Sequence, residues 1–262
     1  MTDNPIMLEL SGVTKQFGGL TAIGDVSFST RKGEIFGIIG PNGAGKSTLF
    51  NLITGTYPAS KGDITYKGEN ITKLGPEGVA AKGIVRTFQS ATVFGNKSLQ
   101  ENIRLGYLFG QLSVPRRFAD RSLLSSARAT AETVTDDVLS FCGLADDRER
   151  IAGELAYGVQ KTLGVAMAIA AGPTQMLMDE PAAGLNPVET QEMGELIRRI
   201  RAERGIDVVL VEHDVGMVTR ICDRILVLDR GQVLAIDVPE AIQKHPDVIE
   251  AYLGADIDLH QV

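Results

Sequence analysis

Cysteine is scarce. The 262-residue chain has two, Cys142 and Cys222, with no CxxC spacing. So few thiols give no sign of a disulfide framework or a thiolate metal site, and they fit a reducing compartment. Long apolar runs are missing too. The longest, at residues 35–39 and 163–171, fall far short of the roughly 18–20 apolar residues that span a bilayer, so no spanning segment is expected. The N-terminal MTDNPIMLEL has no basic stretch leading into an apolar one, so no secretory signal is expected either. Excess positive charge is absent: the formal net charge is −7 and the sequence pI is about 5.1. A chain this acidic is a poor match for the phosphates of a nucleic acid, and no nucleic-acid partner is expected. One nucleotide is another matter, because a single phosphate tail needs only a few local amides and one lysine. No internal repeat or low-complexity tract is present.

What remains is a globular composition, 44% apolar, with enough length for a large core. The runs MLELSGV and DVSFST alternate apolar and polar residues, as half-exposed antiparallel strands do. EIFGIIG is almost continuously apolar, as a strand buried on both faces would be. A glycine-rich turn follows, then KSTLFNLITG reads as a helix closed by Gly55. GDITYKG and IVRTF, residues 84–88, are further strands. Residues 95–155 offer no strand candidate. SLQENIRLGYLFG and ARATAETVTDDVLSFCG have helical spacing, joined by the polar linker QLSVPRRFADRS. From residue 173 strand and helix alternate again: TQMLMDEP, a helix over 187–203 with Pro187 at its start, DVVLVEH, and a helix over 214–222. RILVLDRGQVLAID predicts a hairpin turning at Asp229, Arg230 and Gly231. PEAIQKHPDVIEAYLG predicts two short helices split by Pro246. This order gives an α/β core of mainly parallel strands, an antiparallel N-terminal addition and an inserted all-helical segment.

The turn GPNGAGKST fits G-x-x-x-x-G-K-[ST] in the right context, between a buried strand and a helix. Its residues are Gly40, Pro41, Asn42, Gly43, Ala44, Gly45, Lys46, Ser47 and Thr48. The glycines let backbone N–H groups turn inward around a phosphate, and the helix start adds partial positive charge. Lys46 would reach the β- and γ-phosphates, and Ser47 would ligate Mg²⁺. QMLMDEP sets Asp179 and Glu180 at a strand end, where ligand crevices of open α/β sheets lie. Asp179 would hold Mg²⁺, and Glu180 would act as general base on the attacking water. Alone, the pair also suits a solvated turn. His213, after VVLVE, would donate to a γ-phosphate oxygen and keep water and Glu180 in line. Gln89 would ligate Mg²⁺ and sense the water, or else be a plain loop residue. Phe17 could stack on adenine, a contact worth roughly 1–3 kcal/mol, or fill the core. His245 and His260 carry no functional signal. LAYGVQ, residues 155–160, reads as a glycine-capped helix start suited to a second anion.

Together these residues resemble the ATP-binding-cassette (ABC) ATPases, from about residue 7 to residue 253. The motifs are the phosphate loop, the Q-loop Gln89, the signature LAYGVQ, LMDEP, the D-loop AAGLNP and VEHD. The resemblance implies a RecA-like P-loop NTPase core with an N-terminal antiparallel β subdomain and an inserted all-helical subdomain. One ABC ATPase domain would occupy residues 1–262. Its catalytic core would cover about 1–90 and 164–262, and the helical subdomain about 91–163. The expected ligands are ATP and Mg²⁺. In that family the signature caps the ATP held by a partner, so Tyr157, Gly158 and Gln160 would contact a neighbour's nucleotide. The partner would be a second copy or a related ABC ATPase. YG in the signature, AAGLNPVET and the ending AYLG look like the ATPase subunits of branched-chain amino acid importers. Such a subunit would sit on transmembrane permease subunits at the cytoplasmic face of the inner membrane. An ATPase of a lipopolysaccharide exporter is the close alternative, and a soluble ABC ATPase acting on ribosomes or DNA a more distant one. Ala156 stands where the signature usually has serine, Val159 where its first glutamine is usual, Lys161 where arginine is frequent, Met167 in place of an arginine, and Asn186 in place of the D-loop aspartate.

Overall fold

The computed structural model describes residues 4–87, 89, 92–112 and 121–253. Phe88, most of the predicted linker at 113–120, Gly254 of the AYLG ending and His260 lie outside them. The described strands form two sheets. In the smaller, the order is β2-β1-β4-β5, with β1 Ile6–Phe17, β2 Leu20–Arg31, β4 Lys61–Tyr66 and β5 Glu69–Asn70, all antiparallel. In the larger, the order is β10-β9-β3-β8-β7-β6. Its strands are β3 Ile35–Ile39, β6 Ile84–Thr87, β7 Gln175–Asp179, β8 Asp207–Val211, β9 Arg224–Asp229 and β10 Gln232–Asp237. All pairs in it are parallel except β9–β10.

The buried runs explain why the large sheet is central. Side chains alternate along a strand. Ile35, Ile39, Met176, Met178, Val208 and Leu210 therefore enter one apolar cluster. Phe36, Ile38, Leu177, Val209 and Val211 enter another on the opposite face. The first cluster is covered by α3 Leu99–Leu112, α4 Arg121–Phe141, α5 Tyr157–Ala170, α6 Pro187–Arg204 and α7 Val215–Ile221. The second is covered by the small sheet and α1 Lys46–Ile53. A short helix α2, Pro76–Ala81, precedes β6, and α8 Pro239–Ile242 and α9 Pro246–Leu253 close the described chain. The predicted split at Pro246 falls at the first residue of α9, where proline's missing N–H costs nothing.

One expectation needs correction. Strands at 7–13 and 25–30 are in fact one long hairpin of two twelve-residue strands. Register shifts between Leu10 and Val13 and between Val13 and Lys15 break the alternation that marks a strand in sequence. Phe17 is the last residue of β1. The predicted hairpin at 224–237 forms with Arg230 at φ 45° and Gly231 at φ 78°, the pair of positive angles a two-residue turn needs.

Candidate active site

Because β3 lies between β8 and β9, and β7 beside β8, the C-terminal ends of β3, β7 and β8 are neighbours. Three sequence-distant turns therefore meet at one edge. After β3, Gly45 adopts φ 105°, and a Cβ there would lie 2.8 Å from Ile23 Cδ1. Gly45 is the N-cap of α1 and leaves its first N–H groups without a side-chain cap, an anion-ready helix start. Asn42, Gly43 and Ser47 are exposed, Pro41, Gly45 and Thr48 half-buried, and Ala44 buried. Lys46 is buried, and its Nζ donates to Gly40 O at 2.6 Å and Pro41 O at 3.1 Å. Burial lowers its pKa, while Glu180 and Asp179 pull it back up.

Asp179 ends β7 and accepts from Arg86 Nη2 at 2.5 Å. Arg86 also donates from Nη1 to Asn51 Oδ1 at 2.6 Å. The next residue, Glu180, has φ 48°, a left-handed conformation that costs a non-glycine residue on the order of 1–3 kcal/mol. Its surroundings hold it there. Glu180 N–H donates to Val211 O at 2.9 Å, and its carbonyl accepts from Lys161 Nζ at 2.9 Å. Its carboxylate accepts from Gln89 Nε2 at 2.5 Å and lies 3.1 Å from His213 Nε2. His213 is positioned by Glu212, which accepts from the His213 N–H at 3.0 Å and from Ala182 N–H at 2.6 Å. Burial pushes the Glu212 pKa up, opposed by the backbone N–H groups that point at it. Asp214 caps α7 through Met217 N–H at 2.7 Å.

Gln89, Asp179, Glu180, His213 and Lys46 are thus brought together. Arg86, Lys161 and Glu212 join them, although motif spacing did not single them out for this site. Their signal was present: each is a charged residue inside or next to an apolar run, and buried charges have to be paired. The Ser47 hydroxyl, the Asp179 carboxylate and the Gln89 amide make a hard-oxygen donor set that fits Mg²⁺. Among the described residues, no group of three His, Cys, Asp or Glu could hold a metal ion by itself.

Two predicted groups stand apart. Phe17 is 44% exposed at the end of β1, its ring edge-to-face with Tyr57 at 5.4 Å and 4.9 Å from Lys15 Nζ. So exposed an aromatic is not core filler. The signature helix α5 begins at Tyr157 with Ala156 as N-cap, so it is not glycine-capped as expected, and no side chain caps it. Its start packs on residues 184–189 of the same chain: a Cβ on Gly184 would lie 3.0 Å from Tyr157 Cε1, and one on Gly158 2.5 Å from Glu189 Oε1. Gln160 Nε2 donates to Leu155 O at 2.8 Å.

Comparison with known proteins places this geometry. The sequence profile of the family described as "ABC transporter" matches residues 23–183, and that of "Branched-chain amino acid ATP-binding cassette transporter" matches residues 232–258. The chain is 39% identical to the high-affinity branched-chain amino acid transport ATP-binding protein BraF of Pseudomonas aeruginosa, over 95% of this chain and 98% of BraF. It is 40% identical to the corresponding LivG of Salmonella typhimurium, with the same coverage of 95% and 98%. Among solved structures, the ADP conformation of MJ1267, an ATP-binding cassette of an ABC transporter, superposes with a TM-score of 0.83. The identity is 29%, and the match covers 96% of this chain and all of that one.

Proposed function

The chain belongs to the ABC transporter family of ATP-binding cassettes, and on that premise we propose that it is the ATP-hydrolysing subunit of an importer for branched-chain amino acids. ATP hydrolysis is the activity of that family. The importer assignment follows relatives named for that transport, together with the match at residues 232–258. Phe17 stacks the adenine. The amides of residues 40–48 and the Lys46 ammonium hold the phosphates, with Lys46 exchanging its two loop carbonyls for phosphate oxygens. Ser47, Asp179 and Gln89 hold Mg²⁺, which neutralises charge on the phosphates when bound. Glu180 accepts a proton from the attacking water, and His213 keeps that carboxylate and the γ-phosphate aligned.

Tyr157, Gly158 and Gln160 complete the phosphate site of a neighbouring cassette, a second copy or a related chain, in a two-fold pair. No helix among the described residues is long and apolar enough to cross a membrane, so separate permease subunits carry the path. They dock at the cytoplasmic face. A groove of about 330 Å³ between β6 and helices α3 and α5, lined in part by Thr87, Phe109, Met167 and Ala168, offers the seat. Phe94, 39% exposed and stacked on Phe109 at 6.3 Å, flanks it.

The observation that carries the enzymatic reading is the Glu180 carboxylate held between Gln89 and His213 at the end of β7. Glu180→Gln is expected to lower the hydrolysis rate at least about a hundredfold, as loss of a general base does. ATP binding should stay intact, and ATP should trap a dimer on gel filtration. Full turnover in this variant would remove Glu180 from its role.

A further inference from the structure

Lys161 is a buried charge, 4% exposed, on the first turns of α5. Its Nζ donates to Gln89 O at 2.7 Å and to Glu180 O at 2.9 Å. Those two residues are themselves joined, because Gln89 Nε2 donates to the Glu180 carboxylate at 2.5 Å. The three residues therefore close a ring: ammonium to Glu180 carbonyl, Glu180 carboxylate to Gln89 amide, Gln89 carbonyl back to the ammonium. They come from three elements, the signature helix α5, the segment after β6 and the end of β7.

We propose that Lys161 is a positioning residue for hydrolysis: it locks the signature helix, the Q-loop and the catalytic carboxylate into one body, so that Glu180 faces the water only when α5 is seated. The inference rests on the role given above to Glu180. Two physical points support it. Glu180 sits at φ 48°, a conformation that persists only when its neighbours over-determine it. Its N–H is held by the sheet, and its carbonyl accepts from Ala183 N–H at 3.1 Å and from Lys161 Nζ at 2.9 Å, the one side chain that donates to it among the described contacts. Second, burial disfavours the charged form of the ammonium, while the negative charges of Glu212, Glu180 and Asp179 favour it, so its charge supports the same arrangement as its hydrogen bonds. A neutral residue of the same length would fill the space but leave the Gln89 carbonyl without its donor and the Glu180 carbonyl with the Ala183 N–H alone, so the ring that ties α5 to Glu180 opens.

The test is steady-state hydrolysis and fluorescent-ATP binding for Lys161→Met, Lys161→Arg and, in parallel, Glu180→Gln. Lys161→Met is expected to lower kcat roughly ten- to a hundredfold, the effect of a small misplacement of a catalytic group, with nucleotide Kd changed by less than about twofold. Lys161→Arg, which restores a donating cation, should recover most of the rate. The inference is overturned if Lys161→Met turns over at the parent rate, if kcat and nucleotide affinity fall together, or if arginine fails to rescue. Should the methionine variant not fold, Lys161→Gln against Lys161→Arg is read the same way, and equal rates for the two overturn the inference. If Glu180→Gln is itself fully active, the reading of the site fails instead, whatever Lys161 does.

Discussion

Gly158 lacks a side chain because Glu189 stands where one would go: a Cβ would meet Glu189 Oε1 at 2.5 Å and Cδ at 2.8 Å. Glu189 is not free to yield. Its Oε2 accepts from Asn186 N–H at 2.9 Å while Asn186 caps Val188 and Glu189, so the two residues form a closed capping box at the start of α6. The unusual Asn186 thus has a local structural role. For Gly158→Ala, two effects on stability oppose each other. Alanine gains about 0.5–1 kcal/mol in a helix, and loss of the cap costs about 1 kcal/mol. The melting temperature should hardly move. Hydrolysis should still fall about tenfold or more, because the signature backbone and the D-loop lose their shared seat. A thermal melt with an ATPase assay checks this, and a variant that keeps full rate would show that the close approach is incidental. At this scale the sequence was informative about identity and silent about partners. The phosphate loop, Asp179, Glu180 and His213 are local motifs. Arg86 on Asp179 and Lys161 on Glu180 are contacts across 93 and 19 residues of chain, which no spacing rule encodes.

Elements were legible where burial is uniform. β3, β7 and β8 are buried at every position, and their apolar runs mark them plainly. The first hairpin was foreshortened because its bulges shift the period-two pattern. α2 was missed, since six residues with only Val79 buried carry no periodic signal. The start of β8 hides a further feature. Asp207 is 3% exposed and accepts from Gly33 N–H at 2.5 Å, tying β8 to the turn before β3. Burial raises its pKa above the ordinary 3.8, only partly offset by that N–H and by Lys32 and Lys67. A carboxyl whose folded pKa is raised favours folding below its unfolded pKa, and that contribution is lost as pH rises through the folded value. An asparagine side chain at this position keeps an acceptor for Gly33 and does not titrate. The stability of Asp207→Asn relative to the parent should therefore increase from about pH 4 towards pH 7. Urea melts at several pH values measure this; a pH-independent difference would mean that the carboxyl is not desolvated as the structure indicates.

At the scale of the whole molecule, the fold puts its anion-ready helix starts on separate elements: α1 after the phosphate loop and α5 at the signature, whose N-cap is an alanine. The division between them was readable from the motif order, but the consequence of Ala156 was not, because it depends on a second molecule. Ala156 has φ −55° and ψ 147°, which serine adopts without strain. In Ala156→Ser the new oxygen would accept an N–H of the first turn, worth about 0.5–2 kcal/mol to the single chain. Its O–H would remain free to donate to the γ-phosphate held by the partner, a bond to a charged group worth about 1.5–3 kcal/mol. Only the second effect distinguishes dimer from monomer, and a two-fold pair contains it twice. In a Glu180→Gln background, Ala156→Ser should tighten the ATP-dependent dimer at least about tenfold, while ATP affinity of the monomer stays constant. Analytical ultracentrifugation with and without ATP separates the two. A dimer no tighter than that of the parent, formed by a chain whose helix start has gained its cap, would show that Ala156 does not face the neighbouring phosphate.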